Sequence, residues 1–158
     1  MTQDILSSST PKRVIATQEA LSLISRLIQE NKNADKNADK SHSQIIFVQS
    51  GGCCEGSVPI CTLRSDFALG EADILISNIG GADFYLHQSM FQYYKSTQLI
   101  IDAKEGLGSE YSLEYGSGWK FELSLRLFSD EEIALLWAIS SPQNNIDCHD
   151  FGITNSQQ

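Results

Sequence analysis

The stretch that decides the fold is WKFELSLRLF, residues 119–128, in which Trp119, Phe121, Leu123, Leu125 and Leu127 alternate with Lys120, Glu122, Ser124 and Arg126. A period of two belongs to a strand with one face on a core and the other in water. Immediately downstream, Ser129 stands three residues before Glu132, the spacing of a capping box, and Asp130 and Glu131 suit the positive end of a helix. A helix carrying Ile133, Leu136 and Trp137 is therefore expected to follow, ending near Ser140 before Pro142.

Upstream, the pattern stays short and strand-like. EYSLEY (110–115) reads as a strand, EGLGS (105–109) as a glycine turn and TQLIIDAK (97–104) as a second strand. HQSMFQYYK (87–95) has no clean alternation and fits a single helical turn or an irregular crossing. EADILISNI (71–79) and DFYL (83–86) are strands joined by a turn at Gly80–Gly81, TLRSDFALG (62–70) adds further short strand, and QIIFVQ (44–49) is an apolar strand that stops at glycine. Near the N-terminus, order begins at Val14. Ala20, Leu21, Ile24, Leu27 and Ile28 then share one face of a helix from Thr17, its N-cap, to about Asn31.

The expected architecture is thus mostly β within the α+β class: a curled sheet or pseudo-barrel with an N-terminal and a C-terminal helix. Residues 1–13 are read as an arm, 14–140 as one globular domain and 141–158 as a loose tail. The tandem repeat NADKNADK (33–40) falls in a solvated insert spanning 32–43.

With 158 residues the chain has enough material for one core without a staple. Its net charge of −9 repels phosphate backbones and anionic lipid, which argues against nucleic acid and membrane surfaces as partners. No apolar run reaches the eighteen residues of a membrane span, and the first residues lack the order of a signal peptide, so a cytoplasmic location is expected.

Chemistry concentrates in SGGCCEGSVPIC (50–61), which holds Cys53, Cys54 and Cys61, three of the four cysteines. In a reducing compartment, clustered cysteines serve as metal ligands, redox thiols or nucleophiles more often than as disulfides. Gly51, Gly52 and Gly56 free the backbone around the thiols, and their amides could favour thiolate. Adjacent cysteines point apart in extended chain, so a tetrahedral site would take one of Cys53 and Cys54 together with Cys61, and a further ligand such as His42, His87 or Glu55. The bland alternative is three small, inert core thiols. Asp102 is either a turn-capping carboxylate or a site residue, Arg126 reads as the partner of a nearby acid, and His87 as a surface histidine. Cys148 and His149, between Asp147 and Asp150, read as an accidental cluster on the tail.

Taken in order, FVQSGGCCEGSVPIC, NIGGADFY, TQLIIDAKEGLGSEYSLE and SLRLF resemble the bacterial domain-of-unknown-function family seven-seven-nine, small proteins often encoded beside aldehyde dehydrogenases. Gly51, Gly52, Cys53, Cys54, Gly56, Ser57, Pro59 and Cys61 match that family's pattern, while Val48 replaces a histidine and Glu55 an aspartate. A more distant resemblance, through the opening helix, the GGC motif and SLE, is to HesB-like A-type iron-sulfur carriers, although the carriers' C-terminal cysteine pair is missing after EYSLEY. The resemblances imply a metal ion or iron-sulfur cluster held by Cys53, Cys54 and Cys61, with an aldehyde dehydrogenase as partner. A homodimer is a further expectation, because a subunit with too few ligands can complete a site across a two-fold axis. Two other functions stay open: a thiol-redox or aldehyde-capturing enzyme, and an interaction module whose cysteines are structural.

Overall fold

The computed structural model describes residues 11–33, 43–49 and 58–143, and the side chains of 138–143 are left aside. Two sheets face one another. The first has the order β1 (Val14–Ala16), β6 (Thr97–Glu105), β7 (Trp119–Leu127), with β1 parallel and β7 antiparallel to β6. The second has the order β3 (Ile60–Leu63), β2 (Ile45–Gln49), β5 (Ala82–His87), β4 (Asp73–Ile79), with β2 and β5 parallel and the outer strands antiparallel. Helix α1 (Gln18–Glu30) packs on the core, α2 (Gln88–Tyr94) joins β5 to β6, and α3 (Asp130–Gln143) follows β7. The α+β class agrees with the sequence. Where one curled sheet is expected, the described residues form two, and neither closes on itself.

Helix α1 begins as its cap predicts, with Thr17 Oγ1 accepting from the Ala20 N–H at 3.2 Å. Its buried face is Ala20, Leu23, Ile24 and Leu27. The Thr17 hydroxyl also donates to Asp102 at 2.6 Å, linking helix start to β6. Asp102 is therefore a mid-strand residue rather than a turn cap. The Thr17 hydroxyl, the Ala103 N–H and Lys104 together hold its carboxyl below the usual range.

Between the sheets, Phe47 on β2 stacks on Phe84 of β5 at 6.0 Å and meets the edge of Phe121 on β7 at 5.0 Å. All five residues of β2 are buried, because its other face is covered too: Ile46, Val48 and Tyr85 pack under Phe67 and Leu69. Those two residues belong to the segment read as strand after Leu63, where a 3₁₀ turn (Arg64–Asp66) leads the chain across the sheet instead. The β4–β5 hairpin turns on Gly80 and Gly81, with φ of 59° and 96°, the positive pair that a two-residue turn between right-twisted strands requires.

Four further expectations need correction. EYSLEY forms turns, not a strand. HQSMFQYYK forms a regular helix, capped by the His87 ring accepting from the Ser89 N–H. Helix α3 runs on to Gln143 and includes Pro142. The buried face of β7 lasts only to Leu123, for Leu125 and Leu127 are 51% and 74% exposed. The capping box does form, with Ser129 N–H donating to Glu132 at 2.9 Å and Glu132 N–H to the Ser129 hydroxyl at 3.2 Å. No helix among the described residues is long and apolar enough to cross a membrane.

Arg126 grips Glu132 through both terminal nitrogens, at 3.0 and 2.8 Å, as the sequence expects of it. With the Ser129 N–H added, this lowers the Glu132 carboxyl from 4.5 to about 2. The stabilisation linked to this depression is complete above about 4.5 and is lost as pH falls toward about 2. Glu132→Gln should therefore flatten the acid limb of a plot of thermal midpoint against pH; a variant curve that runs parallel to wild type throughout would contradict this.

Candidate functional site

The loop carrying Cys53 and Cys54 connects β2 to β3, which fixes its two roots on neighbouring strands. Cys53, Cys54, Gly51, Gly52, Glu55, Gly56, Ser57, His42, Cys148 and His149 lie outside the described residues. The amino-terminal root is Gln49, buried at 1% exposure, whose side-chain oxygen has no hydrogen-bond partner among the described residues. The carboxy-terminal root is Val58, Pro59 and Ile60, with Pro59 buried.

Cys61 comes next and sits opposite Phe47 in the ladder, its side chain within the apolar core. Burial pushes its thiol up, and the Glu114 carboxylate nearby pushes it further, so the sulfur is a protonated thiol at neutral pH. Its backbone is held from outside the sheet. The Cys61 N–H donates to Ser112 Oγ at 2.9 Å, and the Cys61 carbonyl accepts from the Leu113 N–H at 2.8 Å.

Ser112 and Glu114 belong to the glycine-bracketed segment between β6 and β7, and both are buried while Tyr111 and Tyr115 are exposed. The Ser112 hydroxyl donates to Glu114. The amides of Glu114 itself and of Phe121, on the outer edge of β7, also act on this carboxyl and favour its charged form. One short segment thus binds the outer edge of β3 through Ser112 and Leu113 and sets its carboxyl near the Phe121 amide of β7. Desolvation outweighs these donors and raises the Glu114 carboxyl above its ordinary value.

Around this cluster lies an open cleft of about 680 Å³. One wall is the loop root, Val58, Pro59 and Ile60; Ser112, Glu114, Lys120 and Glu122 bring polar groups from the other side. Lys120 pairs with Glu122 at 3.2 Å, so an ionised Glu114 leaves the cleft one negative charge in excess.

The remaining sequence candidates are occupied elsewhere: Asp102 with Thr17, His87 at the start of α2 and Arg126 with Glu132. Glu114 and Ser112 are the site residues that the sequence reading misses. Their signal is the S-x-E spacing, a period of two whose inward-facing members are polar. Among the described residues, no group of three or more His, Cys, Asp or Glu side chains is placed to hold a metal ion, so a metal centre would need the thiols at 53 and 54.

These features define an α+β protein of two small sheets in which a thiol-bearing loop is rooted beside a carboxylate-lined cleft. The chain belongs to the family described as Domain of unknown function (DUF779), whose model matches residues 36–127. No curated protein matches the sequence.

Proposed function

We propose that this protein is a cysteine-dependent accessory or carrier that binds a metal ion or an iron-sulfur cluster as its cargo and serves an aldehyde dehydrogenase. Cys53 and Cys54 would be the thiolate ligands, and Glu114 a carboxylate donor from the facing wall. The observation that carries the reading is the cleft itself, in which the root of the cysteine loop faces Glu114 and Glu122. Thiolate and carboxylate together form a donor set suited to borderline ions such as zinc or ferrous iron. The oxygen of Gln49 at the other root, without a partner among the described residues, adds support, since an orphaned buried acceptor costs about 1–3 kcal/mol. That cost is easier to understand where a bound group or a rearranged loop can supply a donor.

Cys61 fits a ligand role less well. Its sulfur is packed in hydrocarbon, and its proton would have to leave against both burial and a neighbouring carboxylate. Its place in this reading is to hold the loop root in register.

Metal analysis of protein purified without oxygen tests the proposal. Wild type should retain stoichiometric metal and a Cys53→Ser, Cys54→Ser double variant only traces, while Cys61→Ala keeps most of it if it folds. Equal trace metal in wild type and the double variant would end the reading.

One observation favours a second reading, aldehyde capture. Glu114 lines the cleft, and burial raises its pKa, the direction that suits a proton donor. A loop thiolate would attack the carbonyl carbon, forming a C–S bond, while the carbonyl oxygen takes its proton from protonated Glu114 to give a hemithioacetal. Resistance of both loop thiols to alkylation in the native, metal-free protein would exclude it.

A further inference from the structure

Strand β7 has one described neighbour, β6, on its inner edge. Phe128 N–H donates inward to Ser96, whereas Phe121 N–H points outward to Glu114. Backbone direction alternates along a strand, so the Leu123, Leu125 and Leu127 amides also point outward. On this same stretch the core-side leucines, Leu125 and Leu127, lose their cover. Among the described residues, the outer edge of β7 from Leu123 to Leu127 thus has open amides and exposed leucines, a template for another strand.

We propose that this edge pairs with β7 of a second copy of the chain, antiparallel about a two-fold axis at Ser124. The register follows from charge. Centring on Ser124 sets Glu122 of each copy opposite Arg126 of the other, while Leu123 faces Leu125 on the apolar side. Arg126 has a hydrogen of Nη2 to give, because its bonds to Gln98, Leu127 and Glu132 use the other four. Centring on Leu123 instead would oppose Lys120 to Arg126, like charge to like. Centring on Leu125 leaves Glu122 opposite Phe128, with no ion pair. In the favoured register, Leu123 and Leu125 exchange main-chain hydrogen bonds twice around the axis, and Ser124 faces Ser124 in the closely spaced type of pair.

A self-complementary edge of this kind makes a closed dimer, since the same patch serves both copies. Leu123 also lines the cleft, so the two clefts would flank the shared strand pair.

Sedimentation equilibrium of the full chain should give twice 17.5 kDa at tens of micromolar. Glu122→Arg should weaken the dimer at least tenfold by facing Arg126, and adding Arg126→Glu should restore it. Independently, Ser124→Cys should form a disulfide-linked dimer under mild oxidation much faster than Lys120→Cys, because facing residues of such a pair have the short Cα separation a disulfide needs. Thermal midpoints of all variants report whether each is folded. A monomeric wild type, a Glu122→Arg dimer as tight as wild type, or cross-linking at 124 no faster than at 120 would each overturn the proposal. Metal retention does not enter these measurements, so they stand apart from the test of the loop thiols.

Discussion

Phe47→Ala should lower the unfolding free energy by about 3–5 kcal/mol, the range for removing a buried aromatic ring from a core that cannot collapse around the gap. Phe47 is fully buried and touches both sheets, stacking on Phe84 within its own and meeting Phe121 of the other edge-on. Removing it deletes apolar area, two aromatic pairs and part of the contact that holds sheet to sheet. The thermal midpoint should fall by about 10–20 °C. Phe47→Leu, which keeps most of the volume, should lose less than half as much. The Phe121 contact makes the expectation specific, since Phe121 lines the cleft beside Glu114. Loosening β7 should therefore disturb the cleft, and Phe47→Ala should lose metal before it unfolds. A midpoint within 3 °C of wild type would show that the sheets do not depend on this ring.

Much of this core was legible. Thr17 and the apolar spacing behind it announce α1, Gly80–Gly81 announces the β4–β5 turn, and Ser129 with Glu132 announces α3. Each depends on local chemistry, which a window of a few residues contains. What failed depended on distant partners. The alternation in β7 is unbroken to Leu127, but burial stops at Leu123 because nothing among the described residues covers the strand beyond it, and no local pattern encodes the length of the opposing sheet. Periodicity misled more directly in EYSLEY. Its alternation was genuine but inverted: the tyrosines face water while Ser112 and Glu114 turn inward, recruited by the Cys61 and Phe121 amides of two different strands. A rule that sends apolar residues inward reads such a segment as a strand and overlooks its carboxylate. The cysteine motif presents the reverse situation. Its thiols are conspicuous in sequence, and the divergence of adjacent cysteines together with the family motif groups Cys61 with Cys53 and Cys54, whereas the strand register places Cys61 in the core.

Glu114→Ala and Glu114→Gln should behave differently, and the difference separates the two roles this residue holds. Alanine removes the acceptor of the buried Ser112 hydroxyl and the carboxyl near the Phe121 amide, so the variant should lose on the order of 2 kcal/mol, the cost of a buried donor left without its partner. Glutamine keeps an oxygen for that donor and removes only the charge. Because burial raises the folded carboxyl above 4.5, the folded protein holds this proton more tightly than the unfolded chain does. The stability linked to it is therefore full below about 4.5 and is lost as pH rises through the folded value. Glutamine has no proton to lose, so relative to wild type Glu114→Gln should gain in thermal midpoint as pH rises from 4.5, then hold a constant lead. Comparing variant with wild type at each pH cancels Glu132 and Asp102, whose lowered values act in the opposite sense. The same Glu114→Gln protein, at least as stable as wild type at pH 7, then reports on the donor set. If the carboxylate is a ligand, retained metal should drop at least tenfold although the fold is intact. Wild-type metal content in this variant would leave the two loop thiols to find their remaining donors elsewhere. The Cys61 thiol should stay unreactive to alkylation in both proteins, because burial, the larger cause of its raised pKa, remains when the neighbouring charge is gone.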